Sequence, residues 1–211
     1  PIGSWGITSL IFPGAHFRAS NVSPEGLWLE DDIFFVNGME KICKAGQPVQ
    51  AGLGSGLRKF RDEHPDMWDE MVAMGFRFYQ QPAAFEDAVI SHWKIQEQSK
   101  THGQTVCLRD LFGGALAASS RDSMFLHQQI PSWIRAKITA LIQVADTHII
   151  RPMKLKKLQH DDDLRHELVK LSQLEDTNLI FKCGMYEIMR SLLRVVRDLK
   201  EEWEADQYIL K

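Results

Sequence analysis

The sequence predicts an all-α fold, a helical bundle of about six to eight helices with an irregular N-terminal arm. Prolines stand where helices would start, at Pro65, Pro82 and Pro131, and apolar residues recur three and four positions apart after residue 57. The last predicted helix carries an apolar stripe that is wider than the seam of a two-stranded coiled coil. A globular bundle is therefore the predicted architecture.

Composition divides the chain into three parts. Residues 1–45 form the arm with a first helix or hairpin, residues 46–56 form a flexible Gly-rich linker, and residues 57–211 form the bundle domain. The linker glycines lack the Lys-Ser or Lys-Thr of a phosphate-binding P-loop, and the polar segment before them is not the strand that a dinucleotide-binding fingerprint requires. A flexible connection is therefore the better interpretation of these glycines.

The first 45 residues are compatible with more than one type of element. Residues 1–22 mix Gly, Pro and Ser with short apolar runs, which indicates an irregular arm or an edge strand. In residues 33–43, the apolar run 33–36 followed by Asn37-Gly38 is typical of a β-hairpin. One face of a helix also fits this segment, through Ile33, Val36, Met39 or Glu40, and Cys43, and the sequence favours the helix.

The remaining elements follow from prolines, glycines and periodicity. Helices are predicted over residues 65–80, 82–103 and 131–152, with shorter elements over 106–118 and 122–129. Asp161, Asp162 and Asp163 are predicted to cap the penultimate helix, because negative charge is favourable at a helix start. The last helix begins near Asp176, and its stripe consists of Met185, Ile188, Met189, Leu192, Val195, Val196, Leu199 and Trp203.

Charge, cysteine content and hydropathy exclude several classes of protein. The 25 basic and 28 acidic residues are too balanced for wholesale attraction to nucleic acid or to an anionic membrane. Three widely spaced cysteines form no disulfide framework, and no apolar run is long enough to cross a bilayer. We expect an intracellular protein, cytoplasmic or nuclear, with no membrane partner, and the start at Pro1 indicates a processed chain or a fragment.

The leading functional hypothesis is a non-enzymatic protein–protein interaction domain of a larger intracellular assembly. Trp5, Phe17 and Trp28 lie in the arm without a helical face of their own, and Trp203 lies on the last helix. Tryptophans dominate the binding energy of many interfaces, so these four aromatic residues are the predicted contacts. The expected partner is another protein or a second copy of the chain, and no cofactor is expected.

Nucleic-acid binding, to RNA in particular, is one alternative. A basic segment at residues 151–157 is followed by an arginine stripe on the last helix, and such cations would contact phosphates. The residues concerned are Arg151, Lys154, Lys156, Lys157, Arg190, Arg194 and Arg197. Acidic neighbours on the last helix make a solvated, ion-paired face the competing interpretation of the stripe.

A helical enzyme is the other alternative. The densest group of residues that could bind a metal is His160, Asp163, His166 and Glu167. Their spacing places them on one face of a helix, although helical metal sites draw further ligands from other helices. Arg121 and His127 resemble the spaced Arg and His pair of HEPN ribonucleases, which implies that Arg holds a phosphate and His moves a proton. Arg58 and His64 have the same spacing, so the pattern is not specific, and an enzyme is the less favoured class.

Overall fold

The computed structural model describes residues 7–110, 113–134, 151–175 and 184–209. The chain forms two compact units, Pro1–Thr139 and Ala140–Lys211. Over the described residues the fold is mixed α/β, with seven α-helices and seven strands in three sheets. The predicted all-α bundle is wrong, because several short apolar runs that fit one helical face are strands.

The first unit contains all seven described strands and five of the helices. In chain order its elements are β1 (Thr8–Pro13), β2 (Phe17–Arg18), a 3-10 turn (Ala19–Asn21), β3 (Asp32–Val36), β4 (Met39–Cys43), α1 (Ser55–Glu63), α2 (Pro65–Ala73), β5 (Phe76–Gln81), α3 (Ala88–His102), β6 (Thr105–Asp110), α4 (Gly113–Leu116), α5 (Ala118–Leu126) and β7 (Gln129–Ile134).

A three-stranded sheet organises this unit, with β5 between β1 and β2. The β1 strand runs parallel to β5, and the short β2 strand runs antiparallel to it. Phe76, Phe78 and Tyr79 of β5 are all buried, and Gln80 is 8% exposed, so β5 has buried side chains on both of its faces. The helix predicted over 65–80 therefore ends at Ala73, and Gly75, with φ of 93°, leads into the strand.

The helices α1 and α2 contribute apolar side chains to the same core. Trp68 stacks on Phe78 with ring centroids 4.3 Å apart. The α1 helix starts after Gly54, which has φ of 66° and lies so close to Phe17 that a Cβ would stand 2.4 Å from its ring. Only glycine fits this position without a shift of the buried ring.

Residues 33–43 form a β-hairpin, so the helix favoured by the sequence is wrong there. Ile33 is opposite Ile42 and Val36 is opposite Met39, with Asn37 and Gly38 as the turn. Both turn residues have positive φ, 52° and 76°, as a type I′ turn requires. The local turn preference thus prevails over the helical spacing.

The second half of the unit combines α3 with a parallel strand pair. Asp87 caps α3 by accepting hydrogen bonds from the amides of Val89 and Ile90, so the helix starts later than predicted. The β6 and β7 strands run parallel in register from Thr105 and Gln129. The predictions of helix at residues 106–110 and 131–134 are therefore wrong, and residues 135–150 lie outside the described part of the chain.

The second unit is described as two helices, α6 (Arg151–Glu175) and α7 (Met185–Ile209). Met189, Val195 and Val196 are completely buried, which agrees with the apolar stripe predicted for the last helix. The three aspartates lie within α6 and not at its start, because the helix already includes Arg151. None of the helices in the described ranges is long and apolar enough to cross a membrane.

Candidate functional site

A cleft of about 550 Å³ lies in the first unit between the β3–β4 hairpin and α3. Its apolar walls are Ile33 and Ile42 from the hairpin and Val89 from α3. Alternation along the hairpin explains this lining, because residues 33, 35, 40 and 42 share one face. The size and lining are those of a site for a small molecule or for a few side chains of a partner.

A buried ion-pair network supports one end of the cleft. Arg18 on β2 is only 2% exposed and places Nη2 at 2.5 Å from Asp32 Oδ2 and 2.9 Å from Glu30 Oε1. Gln96 accepts a further hydrogen bond from Arg18 Nη1, at 3.2 Å. A buried guanidinium needs this many acceptors, because an unpaired buried charge is very costly. The network therefore fixes β2 against β3 and α3.

Trp93 connects this network to the cleft. Its indole Nε1 donates to Asp32 Oδ1 at 3.0 Å, and the Arg18 guanidinium lies 5.8 Å from the ring centroid. The indole is also stacked on the Tyr79 ring, with centroids 6.4 Å apart. Because Trp93 is only 2% exposed, it forms a rigid part of the cleft wall.

His92 is the imidazole that lines the cleft. Burial lowers the pKa of His92 below its ordinary value of 6.5. Nδ1 lies 2.9 Å from the hydroxyl oxygen of Ser123, which is buried. A neutral imidazole is therefore the resident form near pH 7, and the buried serine holds its ring orientation without offering an accessible nucleophile.

A second histidine, His16, pairs with the Asp87 carboxylate at 2.6 Å. Burial raises the pKa of Asp87, but hydrogen bonds from His16 and the Ile90 amide help to bring it below the ordinary value. The adjoining cavity of about 590 Å³ has no hydroxyl, thiol or amine side chain among its described lining residues. The pair thus attaches the loop before β2 to the start of α3 and has no nucleophile to activate there.

The β4 strand has an open edge beside the cleft. In a hairpin with a two-residue turn, Val36 and Met39 form the closing hydrogen-bonded pair, so the backbone groups of Glu40 and Ile42 point away from β3. The amide of His16 donates to the outward carbonyl of Phe35 on the opposite edge, as this alternation requires. Among the described residues, nothing pairs with the outward groups of β4.

Of the four aromatic residues predicted to contact a partner, two lie in the core of the first unit. Phe17 is completely buried and Trp28 is 5% exposed, and their ring centroids are 6.2 Å apart. Trp28 also stacks on Phe34 at 5.4 Å. Trp5 lies outside the described residues, and Trp203 lies on α7. The structure therefore places Phe17 and Trp28 together, but inside the protein.

The basic residues predicted to contact nucleic acid lie on α6 and α7. Lys156 is 2.6 Å from Glu202 and Lys157 is 2.5 Å from Asp161, so both are ion-paired. Side chains on the exposed surface include Arg151, Lys154, Arg194 and Arg197. Arg190 is half-buried on α7.

The residues predicted to hold a metal do not converge in the described structure. His160 pairs with Asp198 at 3.0 Å, whereas Asp163, His166 and Glu167 are exposed on α6. Across the described ranges, no group of three or more His, Cys, Asp or Glu side chains is arranged to hold a metal ion.

The Arg121 and His127 pair lies on and just after α5. Arg121 is exposed, and Nδ1 of His127 lies 3.2 Å from the hydroxyl oxygen of Ser99 on α3. His127 therefore joins α5 to α3.

The residues that build the cleft were missed at the level of sequence. Arg18 and Asp32 carry no motif, and Trp93 fits an ordinary helical face. The Asn37-Gly38 pair could have predicted one wall of the cleft, because a hairpin with this turn places Ile33 and Ile42 on the same face. No known protein family, curated protein or solved structure matches this chain.

Proposed function

We propose that the first unit is a non-enzymatic interaction domain that binds an extended segment of a partner protein by adding it as a strand to β4. The observation that carries this proposal is the open edge of β4 directly beside an apolar-walled cleft. Strand addition supplies affinity through backbone hydrogen bonds, and specificity comes from side chains that enter a neighbouring pocket. The hairpin and α3 offer both parts.

The exposure of the hairpin supports an interface on this face. Ile33 is 44% exposed and Ile42 is 63% exposed, although they are cross-strand neighbours on the cleft face. Adjacent apolar side chains left in water are typical of surfaces that a partner covers.

The chemistry of the cleft favours binding over catalysis. His92 is oriented by a buried serine, and the Asp32 carboxylate is occupied by Arg18 and Trp93. A nucleophile would need an adjacent base and access to substrate. Among the described residues that line the cleft, Ser119 is the single hydroxyl, and it makes no hydrogen bond to His92.

The test is selection from a phage-displayed library of random heptapeptides on the intact chain. We expect enriched sequences that bind the parent and lose binding to Ile42→Pro, because proline removes the outward N–H without breaking a β3–β4 ladder bond. Ile42→Thr is the matched control, since it loses the same apolar side chain but keeps the N–H. Equal binding to the proline and threonine variants would overturn strand addition.

A second measurement uses the parent protein and so does not depend on whether the proline variant folds. An enriched peptide that is N-methylated at alternate residues should lose binding to the unmodified protein, because it can no longer donate to the β4 carbonyls. Hydrogen exchange at the Glu40 and Ile42 amides should slow when the unmodified peptide binds. A concentration-dependent dimer that protects the same two amides without peptide would instead identify a second copy of the chain as the occupant.

Nucleic-acid binding through α6 and α7 draws less support. Two of the four cations of the basic segment, Lys156 and Lys157, are already neutralised by carboxylates. Binding to RNA at low ionic strength that weakens steeply with added salt is the result that would favour it.

A further inference from the structure

We infer that the segment added to β4 carries a basic side chain opposite Glu40 and an apolar side chain opposite Ile42, two residues apart. This inference rests on the strand addition proposed above and specifies its ligand. The arrangement of charge around the cleft and the register of the hairpin support it independently of each other.

The cleft is acidic. Asp31, Asp32 and Glu40 line it, and its described lining residues include neither lysine nor arginine. An acidic groove favours a cationic ligand and disfavours an anionic one, since like charges in an interface are repulsive. A basic segment is therefore the complementary partner.

Glu40 is the carboxylate left for that partner. Asp31 is paired with Lys44 at 2.6 Å, and Asp32 is paired with the buried Arg18. In the described part of the chain Glu40 makes no ion pair, and its side chain is exposed. Its charge is thus available at the mouth of the cleft.

The register of the hairpin converts this charge into a sequence pattern. Glu40 and Ile42 both direct their backbone groups outward and both place their side chains on the cleft face. In a strand paired with β4, the residues opposite these two positions lie about 5 Å away on the same face. A lysine or arginine would meet Glu40, and an apolar residue two positions away would meet Ile42.

The apolar side chain of the ligand is specified by the cleft face of the hairpin. Ile42 neighbours Ile33 across the hairpin, and Val89 on α3 contributes another wall of the cleft. A β-branched residue opposite Ile42 would cover the exposed side chain of Ile42 while retaining a strong preference for an extended backbone.

The experiment uses heptapeptides of sequence Thr-Val-Thr-X-Thr-Val-Thr with blocked ends, in which X is Lys, Gln or Glu. Valine on both sides of X satisfies the pattern for either strand direction. Dissociation constants are measured with the intact chain and with Glu40→Gln and Glu40→Lys, which alter an exposed side chain. Amide exchange at Ile42 reports strand addition separately from charge.

We expect the parent to bind the Lys peptide about two- to fivefold more tightly than the Gln peptide, as for an exposed cross-strand ion pair, and the Glu peptide most weakly. Glu40→Gln should level these differences, Glu40→Lys should reverse them, and added salt should reduce them. An unchanged order in Glu40→Lys, with Ile42 protected, overturns the charge pattern alone. Failure of all three peptides to bind or to protect Ile42 overturns strand addition itself.

Discussion

The Asp32 carboxylate should be one of the largest single contributors to the stability of the first unit. It accepts hydrogen bonds from Arg18 at 2.5 Å, Trp93 at 3.0 Å and Asn21 at 3.2 Å. Asp32→Ala leaves the 2%-exposed guanidinium without its nearest counter-charge and leaves the indole N–H unpaired. Breaking a buried pair in this way costs about 3–5 kcal/mol of the free energy of unfolding.

The remaining partners of Arg18 place the expected loss at the lower end of that range. Glu30 stays at 2.9 Å and Gln96 at 3.2 Å, so the guanidinium keeps part of its compensation. We expect a loss of about 3 kcal/mol for Asp32→Ala. Asp32→Asn, which retains an acceptor for Trp93, should lose about 1–2 kcal/mol.

Urea unfolding followed by tryptophan fluorescence measures this loss. With a slope of about 2 kcal/mol per molar urea, Asp32→Ala should lower the midpoint by about 1.5 M. Asp31→Ala is the matched control, because the neighbouring carboxylate is exposed, pairs with Lys44 on the surface and accepts one hydrogen bond from the Ala45 amide at 2.9 Å. Its midpoint should fall by about 0.5 M or less. Equal midpoints for the Asp31 and Asp32 variants would refute a structural role for the buried network.

Three further predictions follow from the same unit. Gly54→Ala should lower the free energy of unfolding in urea by about 2–5 kcal/mol, because a Cβ would stand 2.4 Å from the Phe17 ring. Gly38→Ala has nothing within 4 Å of the added Cβ and should lower it by about 1–2 kcal/mol, for its positive φ alone. Equal losses in the two variants would contradict the steric reasoning. Burial raises the pKa of Cys43 to about 11, which lowers the fraction of its reactive thiolate. Alkylation of Cys43 in the native chain should therefore be at least about 100-fold slower than in urea, and similar rates in the two states would contradict its burial. The folded protein holds the pKa of Asp87 below its ordinary value of 3.8. The ionised carboxylate therefore stabilises the fold above pH 3.8, and this stabilisation is lost as the pH falls through the folded pKa. Between about pH 5 and about pH 2 the urea midpoint of Asp87→Asn should therefore fall less than that of the parent, and parallel curves would refute the assignment.

The sequence predicted those helices whose signals are local. Pro65 stands at the first position of α2, and the stripe on α7 has the buried side chains that its spacing requires. Such signals depend on residues three or four apart, so they can be recognised without knowledge of tertiary contacts. The start of α3 at the Asp87 cap is also a local signal, although Pro82 obscured it.

The strands were missed because their partners are distant in the chain or because burial removes their alternation. The β5 strand is buried on both faces, so its sequence lacks the full apolar–polar alternation of a half-buried strand and resembles the end of a helix. The β6 and β7 strands pair in parallel across α4 and α5, which no short-range pattern indicates. The cleft could not be predicted for the same reason, since Arg18, Asp32 and Trp93 meet only after β2, β3 and α3 are assembled.

The parallel pairing of β1 with β5 sets an order of events during synthesis of the chain. Thr8 pairs with Phe76, so β1 has no sheet partner until about 70 more residues have been added. At ribosomal rates of about 5–20 residues per second, this delay lasts about 3–14 s. A two-residue hairpin such as β3–β4 forms within about 10 μs of its synthesis. The Leu10-Ile11-Phe12 run of the nascent chain therefore lacks its strand partner for seconds, and any truncation that ends before β5 makes that state permanent.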